Sequence, residues 1–218
     1  MEIVLATANE HKRRELSLIL KEHTLLLPGD LGFQYEYDET GLTFADNSFG
    51  KAFGLYRLLK GVAEKGVESS RPPEEIAAAG RLLPVIADDS GLAVRALEGR
   101  PGVFSARYGE AEEGRTLSDE EKNRRLLGEL LEVENRSAYY VCSMTLILGE
   151  NRFVQAQETW EGEIAHTPSS GTTGFGYDPI FYLPERGLCV ADIEPEEKNL
   201  LSHRGKAAMR IEGALSLM

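Results

Sequence analysis

The chain of 218 residues carries 36 acidic against 24 basic side chains, a formal net charge of −12, which repels a phosphate polymer unless the bases gather on one face. With 42% apolar and 28% charged residues it falls among ordinary globular proteins, and its length buries about 70% of the unfolded surface in one large α/β domain or two joined lobes. No apolar run reaches transmembrane length, and Met1-Glu-Ile-Val-Leu-Ala6 lacks the basic flank and length of a signal peptide, so we expect a cytoplasmic protein with neither membrane nor nucleic-acid partner.

Glu2 to Ala6 is apolar and β-branched enough for a first strand, closed by Thr7-Ala-Asn9, residues that favour turns and helix caps. A helix follows over 11–20, with Leu16, Ile19 and Leu20 on one face. Lys12, Arg13 and Arg14 crowd its first turn, against the helix macrodipole. A bound anion would remove that conflict, with the Thr7 hydroxyl, backbone N–H groups and Lys12 forming a phosphate cradle; a solvated basic face is the other reading. Thr24 to Leu27 reads as a second strand. Thr43-Phe-Ala-Asp46 then opens a helix whose expected buried stripe is Phe49, Ala52, Phe53, Tyr56 and Leu59. Asp38, Glu39, Asp46, Asn47 and Lys51 stand near its start, either as solvated helix-start residues or as a metal ligand and a phosphate contact. The stretch 61–81, with Pro72-Pro73 and an alanine-rich run, reads as a surface insertion.

Leu82 to Ala87 reads as a buried strand that stops at Asp88-Asp89-Ser90-Gly91, after which Leu92 to Val94 returns as a short strand. Two adjacent carboxylates stay ionised only if solvated, hydrogen-bonded or shared with a cation such as Mg²⁺, so this pair is either an Asx-turn cap or a metal site. Ser118-Asp-Glu-Glu121 is a capping box for a helix expected to bury Leu126, Leu127, Leu130 and Leu131. Ala138–Leu148 and Arg152–Glu158, joined across Gly149-Glu-Asn151, read as an antiparallel hairpin, which makes the sheet mixed. In 169–181 the glycines allow close backbone approach, and Phe175 and Tyr177 offer flat faces to a nucleobase or to the core. Pro195 fits the first position of a helix, and Ser202 caps another that turns Ala207, Ala208, Ile211 and Leu215 inward. Lys198, His203 and Arg204 surround the break, as surface charge or as an anion site. Cys142 and Cys189 read as two buried thiols, and the four histidines show no metal-ligand spacing.

Together these stretches resemble the inosine triphosphate pyrophosphatase family, enzymes that hydrolyse non-standard purine nucleoside triphosphates. The resemblance rests on Thr7-Ala-Asn-Glu-His-Lys12, Glu39-Thr-Gly-Leu-Thr-Phe44, Ala87-Asp-Asp-Ser-Gly-Leu92, Pro101-Gly-Val-Phe-Ser-Ala-Arg107, Gly174-Phe-Gly-Tyr-Asp-Pro-Ile-Phe181 and Glu197-Lys198 with Ser202-His-Arg-Gly205. It implies an α/β fold, a mixed twisted sheet flanked by helices in two lobes with the active-site cleft between them, spanning 1–218 as one nucleoside triphosphate pyrophosphatase domain. It further implies a homodimer, a nucleotide substrate and Mg²⁺. Thr7, Ala8, Asn9, Glu10, His11 and Lys12 would form the substrate turn, with Thr7, Asn9 and Lys12 on the phosphates. Glu39 and Asp89 would serve the metal, with Asp89 the proton acceptor and Ser90 a substrate hydrogen bond. Phe175, Gly176, Tyr177, Asp178, Lys198, His203 and Arg204 would bind the purine. The chain departs from the family where Ala8 replaces a usual Gly, where Ala45-Asp46 replaces a small residue plus Glu, and in the longer 61–81 segment.

The expected reaction is attack of water on the α-phosphorus of ITP, dITP or XTP, with pyrophosphate leaving. A pyrophosphatase for modified pyrimidine or methylated nucleotides, and a non-catalytic nucleotide sensor, are the alternatives. A serine hydrolase built on Ser90 lacks a glycine elbow.

Overall fold

Apolar and alternating runs pair as strands, and the 3.6-residue periodicities between them become helices that cover the sheet. The computed structural model describes residues 1–61 and 82–217, so the insertion expected over 61–81 lies, Gly61 apart, outside the described residues. In chain order the elements are β1 (Glu2–Leu5), α1 (Glu10–Ser17), β2 (Thr24–Leu26), α2 (Phe44–Leu59), β3 (Val85–Val94), α3 (Glu110–Glu113) and α4 (Asp119–Glu129). The second half adds β4 (Ser137–Gly149), β5 (Arg152–Ile164), β6 (Phe181–Leu183), β7 (Leu188–Cys189), α5 (Pro195–Leu201) and α6 (His203–Leu215). Among the described residues the sheet has seven strands in the order β2-β1-β3-β4-β5-β6-β7. It is mixed, as expected: β1 runs parallel to β2 and β3, whereas β6 is antiparallel to β5 and β7. Neighbouring β4 and β5 are joined only by Glu150-Asn151, a link too short for anything but an antiparallel pair. No helix among the described residues is long and apolar enough to cross a membrane.

The chain divides into two compact units. Unit 1 comprises Met1–Asp89, Cys142–Glu158 and Arg204–Met218; unit 2 comprises Ser90–Val141 and Thr159–His203. In unit 1 the two-residue period of the strands sorts the core into two layers. Ile3, Leu5 and Ile86 face Leu16 and Leu20 of the α1 region and Ala207, Ala208 and Ile211 of α6. Val4, Ala6, Val85 and Ala87 face Ala52, Leu55, Tyr56, Leu58 and Leu59 of α2. Unit 2 has its own core, in which Leu126 and Leu130 of the α4 segment meet Leu92, Tyr140, Trp160, Tyr177, Ile180 and Phe181. Cys142 and Cys189 are buried and unbridged.

Three expectations are corrected. The strand does not stop at Asp88: β3 runs unbroken through Asp88-Asp89-Ser90-Gly91, because a strand covered on both faces keeps its ladder wherever its polar side chains find partners. The buried stripe of α2 is partly rotated: Ala52, Tyr56 and Leu59 are inside as expected, joined by Leu55, Leu58 and the polar Asn47, Ser48 and Lys51, while Phe49 and Phe53 are only partly covered. The polar residues are inside because α2 lies over other polar groups: the Ser48 hydroxyl bonds Ser143 at 3.1 Å and Thr145 at 2.9 Å on β4. Leu131, past the end of α4, is 78% exposed because the helix stops at Glu129 and the chain no longer presents that position to the core. The Ser118 capping box and Pro195 at the start of α5 are as expected.

The rotated stripe is testable. Leu55→Ala, at a fully buried site, is expected to lower unfolding stability by about 2–5 kcal/mol, against less than about 0.5 kcal/mol for Leu131→Ala. Urea melts of the two variants measure both, and equal losses would contradict the assignment.

Candidate active site

In a β-strand, neighbouring side chains point to opposite faces, and this separates the adjacent acids. Asp88 lies in register with Ile86, on the side of α1 and α6. There it accepts a hydrogen bond from Lys12 Nζ at 3.0 Å and another from Arg204 Nε at 3.1 Å. Arg204 Nη1 also donates to Glu15 Oε2 at 2.7 Å. Burial alone would raise the pKa of the Asp88 carboxyl, whose side chain is 1% exposed, but Lys12, Arg204 and Lys51 hold it far below the usual carboxylate range. Asp88 is thus a permanent anion that aims two cations.

Asp89 shares the other face with Ala87, under α2. Its Oδ2 accepts from Asn47 Nδ2 at 2.9 Å, and the Asn47 carbonyl oxygen accepts the Gly41 N–H at 2.8 Å, which sets the amide's orientation. Lys51 pairs with Glu39 and donates to the Asp88 backbone carbonyl at 3.3 Å. Burial and then the nearby Glu39 charge push the Asp89 pKa up to about 6, outweighing the Asn47 bond and the Lys51 and Lys12 charges. One acid of the pair is locked as an anion; its neighbour is poised to exchange a proton. Asp46 is occupied differently, taking the Thr43 hydroxyl at 2.7 Å in the α2 cap, and Asp38 is exposed.

The turn before α1 is internally tied. Thr7 Oγ1 accepts the Asn9 N–H at 3.2 Å, and Asn9 Oδ1 accepts the Lys12 N–H at 3.3 Å in the manner of a helix cap. The basic crowding is met by carboxylates as well as by any anion: Lys12 by Asp88, and Arg13 by Glu10 at 2.7 Å and Asp30 at 3.0 Å. Ala8 is exposed and Glu10 faces solvent in its ion pair. The His11 side chain lies outside the described residues.

In unit 2 the hub is Asp178, 4% exposed. Its Oδ2 accepts from Lys198 Nζ at 2.6 Å and from the Phe175 N–H at 2.9 Å, and its Oδ1 from the Tyr140 hydroxyl at 3.2 Å. Gly174 has a φ of 80°, and a Cβ there would sit 2.1 Å from Asp178 Oδ2, so the bend admits only glycine. The Phe175 ring is 41% exposed, with Lys198 Nζ 5.0 Å from its centroid. The His203 ring stacks on Tyr140 at 4.6 Å with an 11° interplanar angle. Ser90 is half-buried in β3. Tyr177 is not a second flat face: it is 6% exposed, sits in the unit 2 core and donates its hydroxyl to the Ser105 carbonyl at 2.9 Å. A buried phenol needs an acceptor, and Ser105 supplies one. Glu15, Ser105 and Tyr140 were not singled out from the sequence. Glu15 carried a signal, three residues from Lys12 and so on the same helix face; Tyr140, inside an apolar strand, carried none.

Between the Asp89 reference value of 3.8 and its raised value of about 6, the folded chain binds more protons at this carboxyl than the unfolded chain does. Stability therefore falls as pH rises through that window. Asp89→Asn keeps an acceptor for Asn47 and carries no charge. In metal-free buffer it is expected to be more stable than the parent at pH 8 by about 1–3 kcal/mol beyond any difference at pH 4. Thermal melts at the two pH values measure this, and a difference independent of pH would contradict it.

The Ham1 family model matches residues 3–213. The chain is 43% identical over 211 residues to a dITP/XTP pyrophosphatase of Treponema denticola, covering 97% of this chain and 96% of that protein. It is 40% identical to one of Geobacillus kaustophilus, covering 97% and 92%. Among solved structures, a HAM1 protein from Coxiella burnetii superposes with a TM-score of 0.78 at 35% identity over 100% of both chains. The Staphylococcus aureus Ham1 protein does so at 0.74 and 33% over 99% of this chain and 98% of that one. With matches of this extent in both sequence and backbone, the chain belongs to the Ham1 family.

Proposed function

We propose that the chain hydrolyses non-standard purine nucleoside triphosphates, ITP, dITP and XTP, to the monophosphate and pyrophosphate, removing them from the nucleotide pool. Relatives that bear the name dITP/XTP pyrophosphatase along nearly the whole chain support this reading. The observation that carries it is the division between Asp88 and Asp89, adjacent acids with proton affinities driven apart, the pattern that separates a fixed charge from a general base.

The donor set fits Mg²⁺. Glu39 and Asp89 are two oxygen-donor groups close enough for one to raise the other's pKa, and among the described residues no cluster of three or more His, Cys, Asp or Glu is placed to hold a metal on protein ligands alone. A hard cation held by one or two carboxylates plus phosphate oxygens matches that set. Glu39 and Asp89 would hold it, and bound there Mg²⁺ would neutralise charge on the phosphate oxygens.

The protein's own groups do the rest in this proposal. Asp89 takes a proton from the water that attacks the α-phosphorus; the bond from that phosphorus to the bridging oxygen breaks and pyrophosphate leaves. Asn47 fixes the Asp89 carboxylate in place. Asp88 keeps its charge throughout and holds Lys12 and Arg204 in position, so that Lys12, on the phosphates, opposes the developing negative charge without reorganising. In unit 2, the Phe175 face and the Lys198 ammonium suit a purine whose 6-keto oxygen accepts a hydrogen bond, and Ser90 and His203 add donors. The resemblance also carries a homodimer. Sedimentation at micromolar concentration tests the dimer, which requires twice the chain's mass.

A nucleotide panel assayed for pyrophosphate with added Mg²⁺ tests the activity. Release from ITP, dITP and XTP, with IMP as the partner product from ITP, is expected; turnover of dTTP or a methylated nucleotide without dITP would overturn it, as would tight binding with no turnover. Asp89→Asn is expected to lower kcat ~10²–10⁴-fold, and near-normal turnover would remove Asp89 from the role of base.

A further inference from the structure

We infer that Asp119 and Asn123, on the first turns of α4, are positioning residues that set base selectivity by gripping both polar groups of Gly176. The inference rests on the proposed role of the Phe175–Asp178 loop in binding the base.

Asp119 Oδ2 accepts the Gly176 N–H at 2.8 Å, and Asn123 Nδ2 donates to the Gly176 carbonyl at 3.0 Å. The two side chains are four residues apart, one above the other on the same helix face, so a single rigid helix addresses one residue at two points. The gripped N–H belongs to the peptide that follows Phe175, and the gripped carbonyl to the peptide that precedes Tyr177. Holding both defines how the Phe175 ring is presented while Tyr177 stays in the core. Gly176 has a φ of 63°, a conformation that glycine adopts without strain.

The cap of α4 is made by other residues: the reciprocal Ser118–Glu121 box pairs the Glu121 and Ser118 N–H groups at 3.2 and 2.9 Å. Asn123 is 5% exposed, yet among the described residues its amide oxygen has no partner, so a buried acceptor is left unmatched while the amide N–H serves Gly176. That is a poor arrangement for stability alone and a sensible one for placing Gly176.

The loop is open at its apex, where a Cβ on Gly176 would meet nothing within 4 Å. Its arms are fixed: the Thr173 hydroxyl donates to the Ala191 carbonyl at 2.6 Å and the Ile193 carbonyl at 2.9 Å, and Asp178 is the hub described above. Around the apex, α4 and the loop line a cavity of about 410 Å³ that includes Asn123, Leu127, Thr173 and Phe175. The two hydrogen bonds lie beside this cavity, since Asp119, Asn123 and Gly176 all line it. Lost, they would free the apex to relax toward that space, and Phe175 would move with it.

Steady-state kinetics with ITP and GTP test the inference on Asp119→Ala, Asn123→Ala, Asp119→Asn and Asn123→Asp, each with its melting temperature. Asp119→Ala and Asn123→Ala are expected to raise KM for ITP about 5–15-fold, to change kcat less than about twofold, and to narrow the preference for ITP over GTP. Asp119→Asn retains an acceptor for the Gly176 N–H and should restore the parent KM. Asn123→Asp, nearly isosteric but without a donor, should behave as the alanine variant does. Parent-like KM and selectivity in a folded Asn123→Asp protein would overturn the inference, as would a fall in kcat that tracks melting temperature with KM unchanged. Should the alanine variants not fold, the two near-isosteric variants decide it on the same readouts. A parent protein that turns over GTP as readily as ITP would instead refute the proposed function.

Discussion

The buried carboxylate of Asp88 is the constraint on which unit 1 depends. Its partners come from far apart in the chain, Lys12 from the first helix and Arg204 from the last, and it lies on the strand between them. An ion cluster this buried gains little net stability, because desolvating each charge costs nearly what the attractions return. Removing one member leaves the others uncompensated, which makes the cluster a strong register device. It ties α1, β3 and α6 together, and the same contacts orient two cations.

The same strand solves a second problem by its pleat alone. Two acids side by side in sequence would repel if they shared an environment. Alternation sends one toward the cations of α1 and α6 and the other toward the amide of Asn47 and the carboxylate of Glu39. Identical side chains acquire opposite proton affinities, and no turn or bulge is required. The helix that covers Asp89 is correspondingly polar on its inner face: Asn47 meets Asp89, Ser48 meets hydroxyls of β4, and Lys51 meets Glu39 and the Asp88 carbonyl.

Unit 2 repeats the device with different chemistry. Asp178 gathers an ammonium, a phenol and a backbone N–H, and so fixes the loop that carries Phe175. Gly174 makes the approach possible because any Cβ would strike the carboxylate. In both units an acid that a short motif offers as a candidate for chemistry also organises structure, and for Asp88 that structural task is the whole of its part in the proposed mechanism.

Much of this was legible in one dimension. The longer strands and helices followed from periodicity, though not β6, β7 or α3; the helix starts followed from Ser118 and Pro195, the mixed sheet from two long strands with a short link, and the family from six short motifs in order. Those features are local, fixed by propensity, capping and backbone sterics. What required the folded chain was everything decided by which faces meet. The Ser90-Gly91 pair looked like a turn because isolated propensity favours one, but burial on both sides kept β3 extended. The Tyr177 ring looked available because aromatic residues in glycine-rich loops often are, but it fills the unit 2 core. The inner stripe of α2 was partly misaligned because its buried polar residues answer to hydroxyls nearly a hundred positions away. The sequence by itself determined the elements, the mixed α/β architecture and the family, since each depends on neighbours a few residues apart. Only tertiary structure showed how two adjacent acids come to differ, one carboxyl held far below its usual range and its neighbour raised to about 6, because a proton affinity is set by the charges and burial around it.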